Sequence, residues 1–316
     1  MIPDFANWSR LMKMKLATFC MAAILAVSAK AFADPDPKFY IYLAFGQSNM
    51  GSGSRLEAVD RVPVDKRLQT LADCDNANRG WKKGQWYDAN PPIVARENGF
   101  NLVDYFGRTM VANLPKDVRV GLVKCAVAGT KIELWDKDAW KKYLDGLPTS
   151  DAWKIPAAGV YQPSPYQFLV DQAKVAQKDG VIKGILVHQG ESNFEDKDWP
   201  KKMKKVYDDL MKDLDLKPEN VPLFCGEVVN ADHEGQKAAF NEILKTMPAV
   251  IPNSYAISSA GLPCNADHLH FNAAGQREFG RRYAIQALSL MGIKDIEPKV
   301  SYTQPAPASA PATTKP

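Results

Sequence analysis

Histidine is scarce in this chain, four in 316 residues, and none of the five cysteines falls into C-x-x-C or similar spacing. A cysteine–histidine metal centre is therefore not encoded. Positive charge is in short supply too. The formal net charge is +4, but residues 1–33 carry Arg10, Lys13, Lys15 and Lys30 against Asp4, which leaves near +1 for the remainder. That gives no basis for a nucleic-acid partner or an anionic membrane surface. The lysines at 201–205 share a helical pattern with Trp199, Met203, Tyr207, Leu210 and Leu214 on the opposite side, so they read as a solvated face. Internal repeats are absent, and Gly51 and Gly53 lack the lysine of a phosphate-cradling loop. Only one apolar stretch, Leu16 to Ala29, approaches membrane length, and it is shorter than the roughly 18 residues that a span needs.

That stretch follows Lys13 and Lys15 and precedes Ala31-Phe32-Ala33, the pattern of a removable secretory leader over residues 1–33. The expectation is a secreted or periplasmic protein with no membrane association after cleavage. Cys20 leaves with the leader, and its setting does not resemble a lipoprotein site. Cys74, Cys125, Cys225 and Cys264 then stand in a compartment that permits disulfides. Cys125 and Cys225 end apolar runs and read as small buried residues, whereas Cys74 and Cys264 lie in loops and are expected to pair.

Five apolar runs have strand length, at about 39–45, 118–124, 183–189, 222–228 and 254–258, and segments of helical period separate them. The clearest helix has Asn272 as its N-cap, a stripe of Phe279, Tyr283, Ala287 and Leu290, and Gly292 at its stop. Alternation of this kind predicts an α/β domain over 34–293, a parallel five-stranded sheet covered by helices in a three-layer α/β/α sandwich. Residues 294–316 are rich in Pro, Ala and Thr and read as a disordered tail. Two connections, 50–99 and 126–164, are too long for simple turns. They hold Trp81, Trp86, Tyr87, Trp135, Trp140, Trp153 and Tyr161, which either pack the loops down or offer platforms for sugar rings.

The polar residues with chemical potential gather beyond the carboxyl ends of the runs, where open parallel sheets bind ligands. Ser48 follows the first run, Gly129 the second, Gln189 and Glu191 the third, Asp267 and His270 the fifth. A flavodoxin-like strand order 2-1-3-4-5 would make the first and third strands neighbours and face Ser48 toward Gln189–Glu191. A serine needs a base to become a nucleophile. His188 sits inside an apolar run and reads as packed; His233 reads as a surface or capping residue; His268 and His270 share one loop, with Asp267 three residues before His270. Ser48, Asp267 and His270 thus form a candidate triad.

The blocks GQSNM, VAGTKIELW, IKGILVHQGESN and DHLHFN resemble an SGNH hydrolase, more closely the carbohydrate esterase family six acetylxylan esterases and sialate O-acetylesterase-like domains. The resemblance runs from about Phe39 to Tyr283. It implies deacetylation of sugars by a serine esterase without metal or cofactor. Ser48 would be the nucleophile, His270 the general base, and the N–H groups of Ser48 and Gly129 the oxyanion hole. The superfamily's usual G-D-S is here Gly46-Gln47-Ser48, and its third-block Asn is Gln189. Gln189 is therefore the expected third oxyanion donor, with Asn193 as the alternative. Asn49, Trp135 and Asn193 are candidate substrate-binding residues. Glu191 either rivals Asp267 as partner of His270, or acts together with it as the helper glutamate that the resemblance permits, or is structural, tying Ser52 or a loop amide. The expected function is removal of O-acetyl groups from plant cell-wall polysaccharide, acetylated xylan first. Sialate or another small ester is the alternative, and a silent carbohydrate-binding module is a further one.

Overall fold

The chain that emerges at Asp36 first makes the centre of a sheet. A computed structural model describes residues 34–296 except positions 52 and 95; the expected leader at 1–33, Ser52 and most of the tail expected over 294–316 lie outside the described residues. The strands are β1 (Asp36–Gly46), β2 (Leu68–Leu71), β3 (Trp86–Asp88), β4 (Arg119–Ala126), β5 (Gly180–His188), β6 (Leu223–Gly226) and β7 (Ser254–Ile257). Their order is β3-β2-β4-β1-β5-β6-β7, and all pairs are parallel except β2–β3. The five strands expected from apolar runs keep the expected mutual order, with β1 between β4 and β5. The sheet has seven strands rather than five, because β2 and β3 arise within the connection 50–99. They are short and carry polar residues, Leu-Gln-Thr-Leu and Trp-Tyr-Asp, so neither registers as an apolar run.

The helices are α1 (Ser48–Gly51), α2 (Leu102–Asn113), α3 (Trp140–Asp145), α4 (Lys154–Gly159), α5 (Pro165–Ala176), α6 (Trp199–Asp213), α7 (Phe240–Leu244) and α8 (Ala273–Leu290). The strand residues that point one way, such as Ile41, Leu43 and Phe45, bury against α5, α6 and Trp135. Those that point the other way, Tyr42 and Ala44, bury against α2 and α8. A strand apolar on both faces is what a sheet covered on both sides requires. Asn272 does cap α8, its side chain accepting from Gly275 N–H at 3.0 Å. Ile293 and Ile296 pack on the α2/α8 layer, so the folded part runs a little past the expected boundary at 293.

Between β1 and α2, the segment around Asp60 is held down by charge. Arg277 of α8 donates to both oxygens of Asp60, at 2.9 and 2.7 Å, and reaches Glu57 at 2.8 Å; Tyr105 of α2 donates to Asp60 at 2.7 Å. Asp60 and Arg277 are buried. Burial alone would favour a neutral Asp60, but the guanidinium and the other donors keep its carboxyl below the ordinary range. No helix among the described residues is long and apolar enough to cross a membrane.

The four cysteines at 74, 125, 225 and 264 are free thiols, which corrects the expected Cys74–Cys264 disulfide. Both lie in loops as foreseen, but Cys264 is fixed by its own surroundings. It bridges to Phe271 through the backbone, and its sulfur faces His233 O at 3.7 Å.

Candidate active site

Gly46 ends β1 because nothing larger fits. A Cβ there would stand 2.0 Å from His188 O at the end of β5. The chain therefore turns sharply against β5, and Ser48 opens the single turn α1 beyond the sheet's carboxyl edge. Its side chain is largely covered but not sealed.

The loop between β7 and α8 comes to meet it. Within that loop, Asp267 Oδ1 accepts the backbone N–H groups of Leu269 and His270, both at 3.0 Å. This folds the loop so that Asp267 Oδ2 lies 2.7 Å from His270 Nδ1, while His270 Nε2 lies 2.8 Å from Ser48 Oγ. Burial works against ionisation of Asp267, but the hydrogen bonds from the His270 ring and from the two backbone N–H groups outweigh it and hold the carboxyl down at about 2. An ionised acceptor on Nδ1 fixes the tautomer in which Nε2 can take a proton from Ser48. His268 of the same loop points away, to His233 O at 3.0 Å.

Gly129 follows β4 in a left-handed turn, φ +67°, where a side chain would be strained; a Cβ would also strike the Trp153 ring at 2.9 Å. Neither Ser48 N–H nor Gly129 N–H has an acceptor among the described residues. Trp153 is half exposed beside Gly129. Trp135 is fully buried against Phe45, with ring centroids 4.8 Å apart, so it is a core residue and cannot bind substrate. Both had been possible platforms; only Trp153 has a free surface at this rim.

The other candidates are buried amides with their hydrogen bonds already spent. Gln189 Nε2 donates to Thr130 O at 2.9 Å and faces Asn193 Oδ1 and Gln47 Oε1, while its Oε1 accepts from Trp199 Nε1 at 2.6 Å. No side-chain N–H of Gln189 is left for an oxyanion, which corrects its assignment as third side-chain donor. Asn193 is removed from both of its expected roles in the same way. Its Oδ1 accepts from Ile132 N–H at 2.8 Å, and its Nδ2 faces Glu133 and Asp196. Asn49 donates from Nδ2 to Glu191 Oε1 at 2.7 Å and to Leu269 O at 3.0 Å, and accepts from Phe271 N–H at 3.1 Å. It ties the turn of Ser48 to the loop of His270 rather than binding substrate.

Glu191 is not a partner of His270. Its Oε1 accepts from Asn49 and from His188 Nε2 at 3.1 Å. Burial opposes its charge, but the His188 ring and Asn49 hold its carboxyl below the ordinary range. The loop-amide alternative describes its contacts; Ser52 lies outside the described residues. Sequence reasoning missed Gln276 of α8, which accepts from Leu102 N–H at 2.9 Å and donates to Asn49 O at 3.3 Å, coupling both helices to the Ser48 turn. A polar residue on the apolar stripe of α8 was the available signal.

Among the described residues one set of carboxylates, Asp136, Asp138 and Asp209, is close enough to hold a cation. The Lys205 ammonium stands among them at 2.8, 2.8 and 2.9 Å.

Residues 38–289 match the family described as carbohydrate esterase, sialic acid-specific acetylesterase. Among solved structures, a protein from Arabidopsis thaliana is 20% identical, with 80% of this chain and 99% of that one covered and a TM-score of 0.59. NanS is 17% identical, with 82% and 99% covered and a TM-score of 0.57. A carbohydrate acetylesterase from Xanthomonas citri is 20% identical; 78% of this chain covers 55% of that one, with a TM-score of 0.54. At such identities these structures speak for the fold.

Proposed function

The chain belongs to the carbohydrate esterase, sialic acid-specific acetylesterase family, and from that premise we propose how its residues work and on what. It is a carboxylic ester hydrolase, an O-acetylesterase of carbohydrates. The observation that carries the mechanism is the continuous line from Asp267 through His270 to Ser48, 2.7 and 2.8 Å.

Ser48 Oγ attacks the acetyl carbon while His270 Nε2 accepts its proton. The carbonyl oxygen becomes an oxyanion and takes the unpartnered N–H groups of Ser48 and Gly129. A donor of this kind lowers the barrier by roughly 3–4 kcal/mol, because it is aimed before charge develops. Collapse breaks the bond to the sugar oxygen, which leaves with the proton from His270. Water, deprotonated by the same ring, then frees acetate from Ser48. Asp267 holds the ring and stabilises the imidazolium that forms twice in the cycle.

The substrate we assign is acetylated polysaccharide or oligosaccharide of the plant cell wall, acetylated xylan first. Two features support a polymer over a small ester: the half-exposed Trp153 beside Gly129, and two open pockets, one lined by His270 and one by Lys131 and Lys154 near Gly129. The leader pattern at 1–33 supports export, so the mature exported chain should begin at Asp34 on mass analysis.

The test is Ser48→Ala. Turnover of p-nitrophenyl acetate and release of acetate from acetylated xylan should both fall by about three orders of magnitude or more, with the far-UV spectrum unchanged. A folded and active Ser48→Ala protein removes the nucleophile assigned here. Comparison of acetylated xylan with O-acetyl sialic acid and acetylated pectin tests the substrate: faster acetate release from sialic acid moves the assignment to that ester.

A further inference from the structure

The groove that leads away from Gly129 is chemically unlike the other pocket at the site. On the His270 side, a pocket of about 440 Å³ is bounded by Asn265, Phe271 and Arg55. On the Gly129 side the groove is larger, about 920 Å³, and five lysines line it: Lys131, Lys142, Lys154, Lys202 and Lys237. The smaller volume is already within the range of a pocket for a small organic ligand, and the larger is near the top of that range. The groove adjoins Gly129 through Lys131 and Lys154. Glu191 and Ser192 form one wall, Ser192 N–H faces Gln47 Oε1 at 3.4 Å, and Lys154 Cε stands 3.3 Å from where a Cβ on Gly129 would be.

The charge of these lysines is not all spent. Lys154 is paired with Asp151 at 2.8 Å, and Lys202 with Glu133 and Asp196 at 2.7 and 2.6 Å. The third acid of the groove, Glu191, is bound by Asn49 and His188. Lys131, Lys142 and Lys237 have no carboxylate partner among the described residues. Lys131 and Lys142 are exposed, and Lys237 lies 3.5 Å over the Phe194 ring. Phe194 and Tyr143 give the same groove flat apolar surface. Three unmatched ammonium groups beside aromatic faces, on a chain of nearly neutral charge outside its leader, form a local site for an anion attached to a flat, hydroxylated ring.

We propose that this groove is a subsite for a carboxylated sugar, a uronosyl unit joined to the acetylated one, with Lys131, Lys142 and Lys237 as specificity-determining residues. The acetylated ring must lie at Ser48 and His270, so a carboxylate read in the groove belongs to a neighbouring unit. This rests on the polysaccharide reading above. Lysine suits the task as a mobile, hydrated point charge that tolerates several positions of the carboxylate.

The test compares an acetylated xylo-oligosaccharide bearing a glucuronosyl branch with the same compound after its carboxyl has been reduced to the alcohol. The wild type should favour the acidic compound in kcat/KM by about tenfold at low salt, the order expected when several surface ion pairs act together, and the preference should shrink as salt screens them. The triple variant Lys131→Gln, Lys142→Gln, Lys237→Gln should lose that preference while hydrolysing p-nitrophenyl acetate as the wild type does. Calorimetry with Ser48→Ala should show binding of the acidic compound that disappears on adding the three substitutions. Equal rates on the two compounds, or a preference that survives the triple variant, overturn the subsite and leave the acetylxylan reading intact. Calorimetric binding of the acidic compound without turnover by the wild type sinks the acetylxylan reading and keeps the subsite. Lysine-dependent turnover of free O-acetyl sialic acid puts the carboxylate on the acetylated ring itself and overturns the proposal.

Discussion

Asp267 and Glu191 are both carboxylates near a histidine ring, and each has a different ring: Asp267 has His270, Glu191 has His188. Their substitutions should therefore separate. Asp267→Asn removes the acceptor that fixes the His270 tautomer, and kcat on an acetyl ester should drop by about 10³–10⁴. Glu191→Gln keeps an oxygen for Asn49 and His188, so kcat should fall less than about tenfold, while the lost charge–hydrogen-bond contacts cost about 1–3 kcal/mol in urea unfolding. If Glu191→Gln proves the slower enzyme, the two roles must be exchanged. The short spacing of Asp267 and His270 made their contact legible in the sequence, because three residues of loop leave few other geometries. The amides were not legible. Asn49, Gln189 and Asn193 look like ligands for substrate in a sequence, and only burial shows that their bonds are already spent on Glu191, Thr130 and Ile132. Trp135 and Trp153 are likewise both loop tryptophans; packing against Phe45 separates them.

The start of α2 carries an acid whose charge the fold disfavours. Asp104 accepts from Asn101 N–H at 2.9 Å through one oxygen, and its other oxygen is buried without a partner. Burial raises its carboxyl from 3.8 to about 6, against the lowering effect of that backbone bond and of Lys124. Between those values the unfolded chain binds fewer protons at this site than the folded one, so stability contributed here falls as pH rises. Asp104→Asn keeps an acceptor for Asn101 without the charge. It should match the wild type near pH 4 and exceed it by up to about 3 kcal/mol near pH 8 in urea titrations, a shift of about two pKa units. A difference between the two proteins that does not vary with pH refutes this. Element type was readable wherever period or apolar run was long, as in α8 and β1. It failed at β2 and β3, which are held by pairing with β4 and with each other rather than by a pattern of their own.

Taken whole, the molecule has two kinds of thiol. Cys125 and Cys225 are buried, and burial pushes the Cys225 thiol up to about 12 and Cys125 well above its ordinary value; Cys74 and Cys264 are partly exposed. In protein lacking residues 1–33, and with them Cys20, a thiol reagent at neutral pH should label Cys74 and Cys264 in the native state, and all four thiols only after unfolding. Unfolded protein, never reduced, that yields two thiols instead of four would restore the Cys74–Cys264 bond. The layer architecture and the mutual order of the five strands read as apolar runs were legible because parallel strands with intervening helices admit few arrangements. The groove beyond Gly129 was not, since its lysines come from segments far apart in the chain. The same distance governs time. β1 is synthesised before either of its neighbours, and the hydrogen bond from Ser48 to His270 spans 222 residues. At roughly 5–20 residues per second, the serine exists for on the order of 10–45 s before its base has been translated. Throughout that interval the newborn chain has the proposed nucleophile without the proposed base, so hydrolytic power would arrive late in synthesis, with the loop that leads into α8.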